Sequence, residues 1–428
     1  MSTALPSYDE AAALVAHQVA GIARLLPSIE SVKLAAAFGR ILALPLRADQ
    51  DQPPFARSTR DGFACRAAEA SKHAPLKLVG ATRAGDSPAG PLPKRAAWEI
   101  MTGAPVPSGA DAVMMIEHVK IDHATMDGAQ VSLLLPRKLK PGDNVVSQGA
   151  QAHSGDELLP AGTAIHSAQI ALAAACGYST LEVFARPRVA ILTTGDELVP
   201  IKSKPAPGQI RNSNAPMLAS MVAAAGGEPW VLSTAGDNDR ALDRSLARAA
   251  EADLLILSGG VSAGKFDLVE PALARAGSRF HFTGVRIQPG KPLVFGDLPV
   301  SGARAVQHPR SRTCFFGLPG NPVSSAVTFQ LFAVPVLAAL AGSRVTGPRF
   351  ALARLSAETD KHAKPGLTRF LPAFCTFGQI DGIRPEVKLV SWQGSGDIGA
   401  LARSNCFLVV PEDIASLQAG ALVRILLT

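Results

Sequence analysis

Two near-continuous apolar runs, Val189–Leu192 and Leu254–Leu257, stand out near the middle of the chain. Runs without polar alternation are typical of strands that are covered on both faces, as in a parallel sheet. Each run ends in glycines and then carboxylates, in ILTTGDELVP at 191–200 and LILSGGVSAGKFD at 255–267. Because parallel strands bring their carboxyl ends to one rim of a sheet, we expect acids and exposed backbone amides to meet there.

Helical segments alternate with these strands. Four helices are predicted because each starts with a capping residue and continues as an apolar-rich run. They follow Asn214-Ala215-Pro216, Asp237-Asn238-Asp239, Asp267 and Asn321-Pro322. The alternation predicts a doubly wound α/β domain over residues 185–345.

The flanking segments have other patterns. A capping box at Ser7 and Glu10 predicts a helix at the N-terminus, and residues 31–43 and 167–177 are predicted to be helical too. Residues 51–149 turn to proline, glycine and short β-like pieces, and strand-like pieces return after residue 346. We therefore predict a multidomain α/β protein: a helical domain at 1–50 and 150–184, an inserted β-rich domain at 51–149, the α/β domain at 185–345 and a C-terminal β domain at 346–428.

Composition restricts the class of protein. The 428 residues are 47% hydrophobic and 18% charged, which suits several buried cores. Asp9 and Glu10 stand where a signal peptide would be basic, and no apolar run approaches the ~18 residues of a membrane span, so a cytoplasmic protein without membrane contact is predicted. Five separated cysteines without a CxxC motif predict buried free thiols, and neither a disulfide framework nor a zinc site.

The formal net charge of +7 leaves the kind of partner open. Nucleic-acid binding would favour interleaved basic and aromatic residues, but the one dense basic patch is Pro136–Lys140 and aromatics are 5% of the chain. An anionic small-molecule substrate accounts for the surplus equally well. A soluble surface with excess lysine and arginine is the simplest explanation, and no nucleic-acid partner is predicted.

Each candidate rim residue also has an ordinary structural explanation. Asp267 and Asn321-Pro322 fit helix starts, Asp196 and Glu197 fit a solvated turn, and SGGVSAG lacks the ending of a full P-loop. Alone, none of them indicates a site. The functional interpretation gains its support from convergence, since all these loops leave the carboxyl ends of strands in one sheet.

Seven motifs in order resemble the molybdopterin molybdenumtransferase family, which includes MoeA and the E domain of gephyrin. They are PPFARSTRDGFA at 53–64, IMTGAPVPSGADAVMMIE at 100–117, TTGDEL at 193–198, NSNAPML at 212–218, SGGVSAGKFD at 258–267, PGKP at 289–292 and GLPGNPVS at 317–324. The resemblance covers essentially the whole chain. It implies four domains, as segmented above, and an enzyme that uses Mg²⁺, inserts molybdenum from molybdate into adenylylated molybdopterin and releases AMP.

The resemblance also implies residue roles. Asp61, Thr102, Glu197 and Asp267 are the expected catalytic residues, and Asp196 joins Glu197 and Asp267 as an expected oxygen ligand of Mg²⁺. Asp61 and Thr102 match a family pair that reaches across a dimer interface, so the resemblance implies a homodimer with a composite site. The expected substrate-binding residues are Ser258, Gly259, Gly260, Ser262, Gly264, Lys291, Asn321, Pro322, Arg369 and Ser395.

Several charges common in the family are missing here. Val146 and Leu367 each stand where the family has an arginine, and Ala150 and Gln151 stand where it has acids. Gln288 stands where it has a lysine, for which Arg286, two residues earlier, could substitute. Three hypotheses stay open. The first is the transferase, and the second is a scaffold paralogue that binds molybdopterin or a partner protein, such as a molybdoenzyme or a cofactor-handling protein, without turnover. The third is an adenylyltransferase-type activity. The sequence does not distinguish molybdate from tungstate, since both are tetrahedral dianions of nearly equal size.

Overall fold

Three six-stranded sheets and four two-stranded pairs organise the described part of the chain. The structure is a computed structural model, and it describes residues 4–25, 27–87, 90–123, 128–234, 239–260, 268–300, 311–359, 366–376 and 385–428. The predicted division of the chain into domains at residues 51, 150, 185 and 346 stays a prediction, so each sheet is described by its own strands.

The two apolar runs form neighbouring parallel strands, Arg188–Thr193 and Leu254–Ser258, in a six-stranded sheet that is called the α/β sheet below. Alternate residues enter opposite cores: Val189 and Ile191 pack on one face, and Ala190 and Leu192 on the other. This division follows from the two-residue period of a strand. Helices cover both faces, which is why the runs contain no polar alternation.

The sheet is mixed, whereas the apolar runs suggested a parallel one. Its strand order is Glu228–Val231, Arg188–Thr193, Leu254–Ser258, Arg312–Leu318, Val294–Pro299 and Arg279–Thr283, and the first four are parallel. The last two pair antiparallel. Antiparallel pairing needs only a short connection, whereas a parallel neighbour needs a crossover of a dozen or more residues.

The four predicted helices are present, at Asn214–Ala224, Asp239–Ala249, Val269–Arg275 and from Pro322 onward. The predicted caps Asp237, Asn238 and Asp267 lie outside the described residues. The last helix continues through a π-helical turn, Phe329–Ala333, into Val334–Leu340. By length and composition this 19-residue run could cross a membrane, so the prediction that no apolar run approaches that length is wrong. Because 83% of its most apolar window is buried, it packs as a core helix.

The N-terminal helix Tyr8–Ile22 begins with the predicted capping box, in which Ser7 and Glu10 bond reciprocally. The helix Ser167–Ala175 is also confirmed. The predicted helix at 31–43 is wrong: Ile29–Lys33 is a strand, followed by one 3₁₀ turn. That strand pairs antiparallel with Thr180–Phe184, about 150 residues later in the chain, and such non-local pairing overrides local propensity.

Two further six-stranded sheets are formed by chain segments before and after the α/β sheet. The first contains Gly62–Cys65, Leu76–Thr82, Ala96–Ile100, Ala112–Met115, Val119–Asp122 and Gln130–Leu133. In the second, five strands close into a ring and the short strand Ile287–Gln288 adds to its edge. The ring strands are Phe350–Leu355, Thr368–Thr376, Glu386–Leu389, Cys406–Val410 and Leu422–Leu427. The helix Ile398–Arg403 lies in the chain between Glu386–Leu389 and Cys406–Val410.

Smaller elements complete the described chain. Three two-stranded pairs join distant segments: the Ile29–Lys33 pair already described, Leu46–Arg47 with Glu157–Leu159, and Arg57–Ser58 with Val145–Val146. A fourth pair, Leu198–Val199 with Ile210–Arg211, is local in the chain. A short helix, Ala67–Ala70, follows the first strand of the inserted sheet. All five cysteines are buried and free, as predicted.

Candidate active site

A cavity of about 590 Å³ opens at the carboxyl ends of the parallel strands. Its floor includes Thr193 and Thr194 after one strand and Ser258 to Gly260 after the next. These two strands are neighbours in the sheet, but the chain leaves them toward opposite edges. In open α/β sheets such a switch point is where ligands bind, so the predicted rim site corresponds to a real concavity.

The cavity brings together many of the residues predicted from sequence. Glu197, Ser258, Gly259, Gly260, Asn321 and Pro322 all line it. Two others are immediate neighbours of lining residues, because Lys291 precedes Pro292 and Ser395 precedes Gly396. Ser262, Gly264 and Asp267 lie outside the described residues.

Glycine is required at the bend that follows the second strand. Gly259 and Gly260 have φ values of +95° and +63°, which side chains rarely adopt. A Cβ atom on Gly259 would lie 2.6 Å from the carbonyl oxygen of Thr194, and one on Gly260 would lie 2.6 Å from Cγ2 of Val269. The bend is therefore packed tightly against the first strand and the following helix.

The backbone amides of this bend are not all free to bind phosphate, as the predicted phosphate cradle would require. The N–H of Gly259 donates to the carbonyl of Leu318 at 3.2 Å, so it serves the sheet and is not offered to a ligand. The hydroxyl of Ser258 is buried and accepts from the side-chain amide of Asn214 at 2.9 Å. Among the described residues, Gly260 is left as the amide on this bend that a phosphate can approach.

Glu197 supplies a carboxylate to the cavity wall. Its side chain folds back over Gly195, where a Cβ atom would lie 2.4 Å from Oε2 of Glu197. Gly195 also has a φ of +139°, which other residues rarely adopt. Within the described ranges no group of three His, Cys, Asp or Glu side chains is clustered closely enough to hold a metal ion, and the third predicted ligand, Asp267, lies outside them. The carboxylate of Glu197 is a hard oxygen donor of the type that suits Mg²⁺.

The C-terminal β-barrel contributes one wall of the cavity. The Nδ2 atom of Asn321 donates to the hydroxyl of Ser395 at 2.8 Å, and the amide of Val323 donates to the carbonyl of Ser395 at 3.0 Å. Asn321 was predicted to cap its helix, but its side chain makes no cap bond and reaches across to this loop instead. Asp397 holds the loop by accepting from Ala400 and Gln393, and these backbone bonds lower the pKa of its carboxyl.

Arg369 does not line the cavity. It is 5% exposed, and its Nη2 atom donates to the carbonyls of Ile414 and Ala415 at 2.9 and 2.8 Å. Those bonds tie together two parts of the C-terminal β-barrel. The structure thus shows a stabilising use for this guanidinium in place of the predicted substrate contact.

The positions that lack the family charges have structural partners. Val146 pairs with Arg57 in a two-stranded ladder, and Gln288 pairs with Arg369 at the edge of the barrel. Arg286, the expected substitute for the missing lysine, lies 3.6 Å from the carboxylate of Glu412 and does not line the cavity. It therefore pairs with a carboxylate of the barrel and does not restore the charge at the cavity.

Asp61 directly precedes the strand Gly62–Cys65 and Thr102 lies just after the strand Ala96–Ile100, so the two residues meet at one end of that sheet, and neither lines the cavity. Asp61 accepts from the Thr102 amide at 2.6 Å and from its hydroxyl at 2.8 Å. The backbone N–H first, and then the hydroxyl, lower the pKa of this exposed carboxyl, so Asp61 is ionised at neutral pH. Gly62 is needed for close packing, because a Cβ atom there would fall on the carbonyl oxygen of Met114.

Thr102→Val is expected to raise the pKa of Asp61 while leaving the stronger backbone bond in place. A lowered pKa stabilises the fold at pH above the ordinary value of the carboxyl, and this contribution is lost as the pH falls through the lowered value. In the variant this contribution should therefore be smaller, and its loss should be complete at a higher pH. Carboxyl ¹³C titration by NMR measures the shift, and an unchanged Asp61 titration would contradict the role given to the hydroxyl.

Three family models match successive parts of the chain: the MoeA N-terminal region (domain I and II) at residues 6–177, a probable molybdopterin binding domain at 190–339, and the MoeA C-terminal region (domain IV) at 354–428. A molybdopterin molybdenumtransferase from Nostoc sp. is 34% identical and covers 99% of this chain and 94% of its own. The chain belongs to the molybdopterin molybdenumtransferase family. The family resemblance carried by the seven motifs is thereby confirmed.

Other members of the family agree with this assignment. The molybdopterin molybdenumtransferase of Bacillus subtilis is 34% identical and covers 93% of this chain and 89% of its own. The solved structure of the molybdopterin biosynthesis MoeA protein from Pyrococcus horikoshii OT3 is 27% identical, has a TM-score of 0.78, and covers 99% of this chain and all of that one. The predicted α/β multidomain fold class is confirmed.

Thr194 and Asn214 are among the lining residues that were not predicted from the sequence. Both lie in the quoted motifs TTGDEL and NSNAPML, but neither was predicted to bind a ligand, and Asn214 was predicted only as a helix cap. A polar residue directly after a buried strand was the available signal for Thr194. Asn214 had no such signal, because a position at a helix start accounts for an asparagine without any ligand.

Proposed function

We propose that this protein inserts molybdenum from molybdate into adenylylated molybdopterin, with Mg²⁺ bound at the rim, and releases AMP. The observation that carries the proposal is the cavity at the switch point, with the glycine bend on its floor and Glu197 on its wall. The names of the relatives support the same activity. The net charge of +7 suits an anionic substrate.

The residues of the cavity would bind different parts of the substrate and its metal ion according to their charge. The Gly260 amide and the cation of Lys291 would bind phosphate oxygens, and the loop at Ser395 closes the opposite wall. Glu197, with Asp267 and Asp196, would hold Mg²⁺, which when bound offsets the negative charge of the phosphoanhydride. Asp61 would act as an ionised carboxylate beside Thr102.

The working unit of this proposal is a homodimer. Asp61 and Thr102 do not line the cavity of their own chain, so they act on it only from a second copy. A closed two-fold dimer would supply the pair to each cavity symmetrically. We place the protein in the cytoplasm, where its product would pass to a molybdoenzyme or cofactor-handling protein.

The test is AMP release by the purified protein supplied with adenylylated molybdopterin and Mg²⁺, over matched titrations of molybdate and tungstate. Saturable, oxyanion-dependent AMP release is the expected result, and the two titrations give the oxyanion preference. Tight binding of the substrate without AMP at any oxyanion concentration would contradict the proposal and indicate the binding paralogue. Pyrophosphate formed from ATP would indicate the adenylyltransferase instead.

A further inference from the structure

Two buried polar atoms of the cavity residues have no hydrogen-bond partner among the described residues. They are the Oγ1 atom of Thr194 and the Oδ1 atom of Asn214. Thr194 is only 5% exposed, so its hydroxyl has lost most of its contact with water. Buried polar atoms in proteins are nearly always satisfied, because an unpartnered one keeps its desolvation penalty without compensation.

The same two motifs contain a second threonine and a second asparagine that are fully satisfied. Asn212 donates from Nδ2 to the hydroxyl of Thr193 at 2.8 Å, and its Oδ1 atom accepts from the amide of Ala215 at 3.1 Å. Thr193 also bonds to the hydroxyl of Thr234 at 3.2 Å. The fold thus satisfies one member of each pair internally and leaves the other with an unused atom at the cavity.

The hydrogen bonds of Asn214 determine what its free atom can do. Its Nδ2 atom donates to the carbonyl of Gly320 at 2.7 Å and to the hydroxyl of Ser258 at 2.9 Å, which uses both amide hydrogens. A carbonyl only accepts, so this contact assigns the amide orientation unambiguously. The remaining Oδ1 atom is therefore an acceptor, and its partner must be an N–H group, an O–H group or a cation.

That requirement excludes the most obvious anionic groups. Deprotonated phosphate oxygens and the oxygens of molybdate only accept hydrogen bonds, so they do not satisfy Asn214. Thr194 lies against the glycine bend, since its hydroxyl oxygen is 2.8 Å from the point where a Cβ atom on Gly260 would lie. Val269 and Leu268 add apolar surface to the same cavity, which suits the face of a flat ring.

We propose that Thr194 and Asn214 form a subsite for the amino-bearing edge of a fused pyrimidine ring, in which Asn214 Oδ1 and the Thr194 hydroxyl accept from the exocyclic amino group. This inference rests on the proposed function, whose substrate has two rings with that chemistry. One is the pterin, with its 2-amino group, and the other is the adenine of the adenylyl group. The subsite would distinguish an amino group from an oxo group at the same ring position.

The binding test uses two matched pairs of probes on the full-length protein. Pterin-6-carboxylate is compared with lumazine-6-carboxylate, and AMP with inosine monophosphate; in each pair an oxo group replaces the amino group. We expect the aminated member of one pair to bind at least about tenfold more tightly. A site whose acceptors face an amino group is left with unpaired acceptors when an oxo group takes its place. The pair that shows the preference identifies the ring. Equal affinities within both pairs, or no binding of any probe, would overturn the proposal.

Two valine variants test the residue assignment. Thr194→Val removes a hydroxyl with no internal partner, so it should leave the melting temperature unchanged or raise it while abolishing most of the amino preference. Thr193→Val removes a hydroxyl that is bonded to Asn212 and Thr234, so it should lower the melting temperature and keep the preference. If Thr194→Val lowered the melting temperature as Thr193→Val does, or kept the full preference, the subsite would be refuted.

The outcomes separate this inference from the proposed function. Oxyanion-dependent AMP release by a protein that shows no amino preference would leave the transferase standing and remove the subsite. An amino preference that depends on Thr194, in a protein that releases no AMP, would keep the subsite and remove the transferase.

Discussion

Replacing Glu197 by glutamine is expected to lower molybdate-dependent AMP release by at least about 100-fold, because a bound metal ion contributes several kcal/mol to the reaction. Glutamine keeps the size of the side chain but removes its negative charge. Glu197 is the one predicted metal ligand that is seen on the cavity wall among the described residues, so its loss should weaken Mg²⁺ binding directly. The variant should also need more Mg²⁺ for half-maximal AMP release.

Glu228→Gln is the matched control for this experiment. Glu228 is an exposed carboxylate on the strand beside Arg188–Thr193, paired with Arg188 at the amino end of that strand, away from the cavity. Its replacement should leave AMP release and the Mg²⁺ requirement unchanged. If Glu197→Gln had the activity and Mg²⁺ dependence of the control, the rim carboxylate would have no part in the reaction, even though the fold is that of the family.

Co-expression of an Asp61→Ala chain with a Glu197→Ala chain is expected to restore activity that neither variant has alone. If Asp61 acts on the cavity of the second subunit, a purified heterodimer contains one site with both residues intact and one site that lacks both. Its AMP release should therefore reach about half that of the unmodified dimer. Differently tagged chains allow the heterodimer to be isolated before the measurement.

A second heterodimer tests whether the rescue depends on the composite site. Asp61 and Thr102 are hydrogen-bonded to each other in one sheet, so Asp61→Ala and Thr102→Ala damage the same half of the site. A heterodimer of those two chains leaves no site intact and should show no rescue. Rescue in this pair, or its failure in the first pair when the heterodimer is verified, would contradict the shared site.

Elements with a local cause were predictable from sequence. The strand Arg188–Thr193 is a continuous apolar run because both of its faces are buried, and the helix Tyr8–Ile22 begins at a capping box that involves only its first turn. The strand Ile29–Lys33 was predicted as helix because its partner, Thr180–Phe184, is distant in the chain. Arg369 was predicted at the site because the sequence does not show that nearby carbonyls use its guanidinium.

The sequence by itself determined the family and the order of apolar strands and capped helices. It also predicted the rim of the sheet on which acids and glycines would meet. Those features depend on local periodicity, on capping and on motifs that are read along the chain. The tertiary structure alone decided which side chains are left to bind a ligand. Thr193 and Thr194 are adjacent and chemically identical, but only Thr193 meets Asn212 and Thr234, which come from other loops. Hydrogen-bond satisfaction depends on partners that are brought together by folding, and no local pattern encodes them.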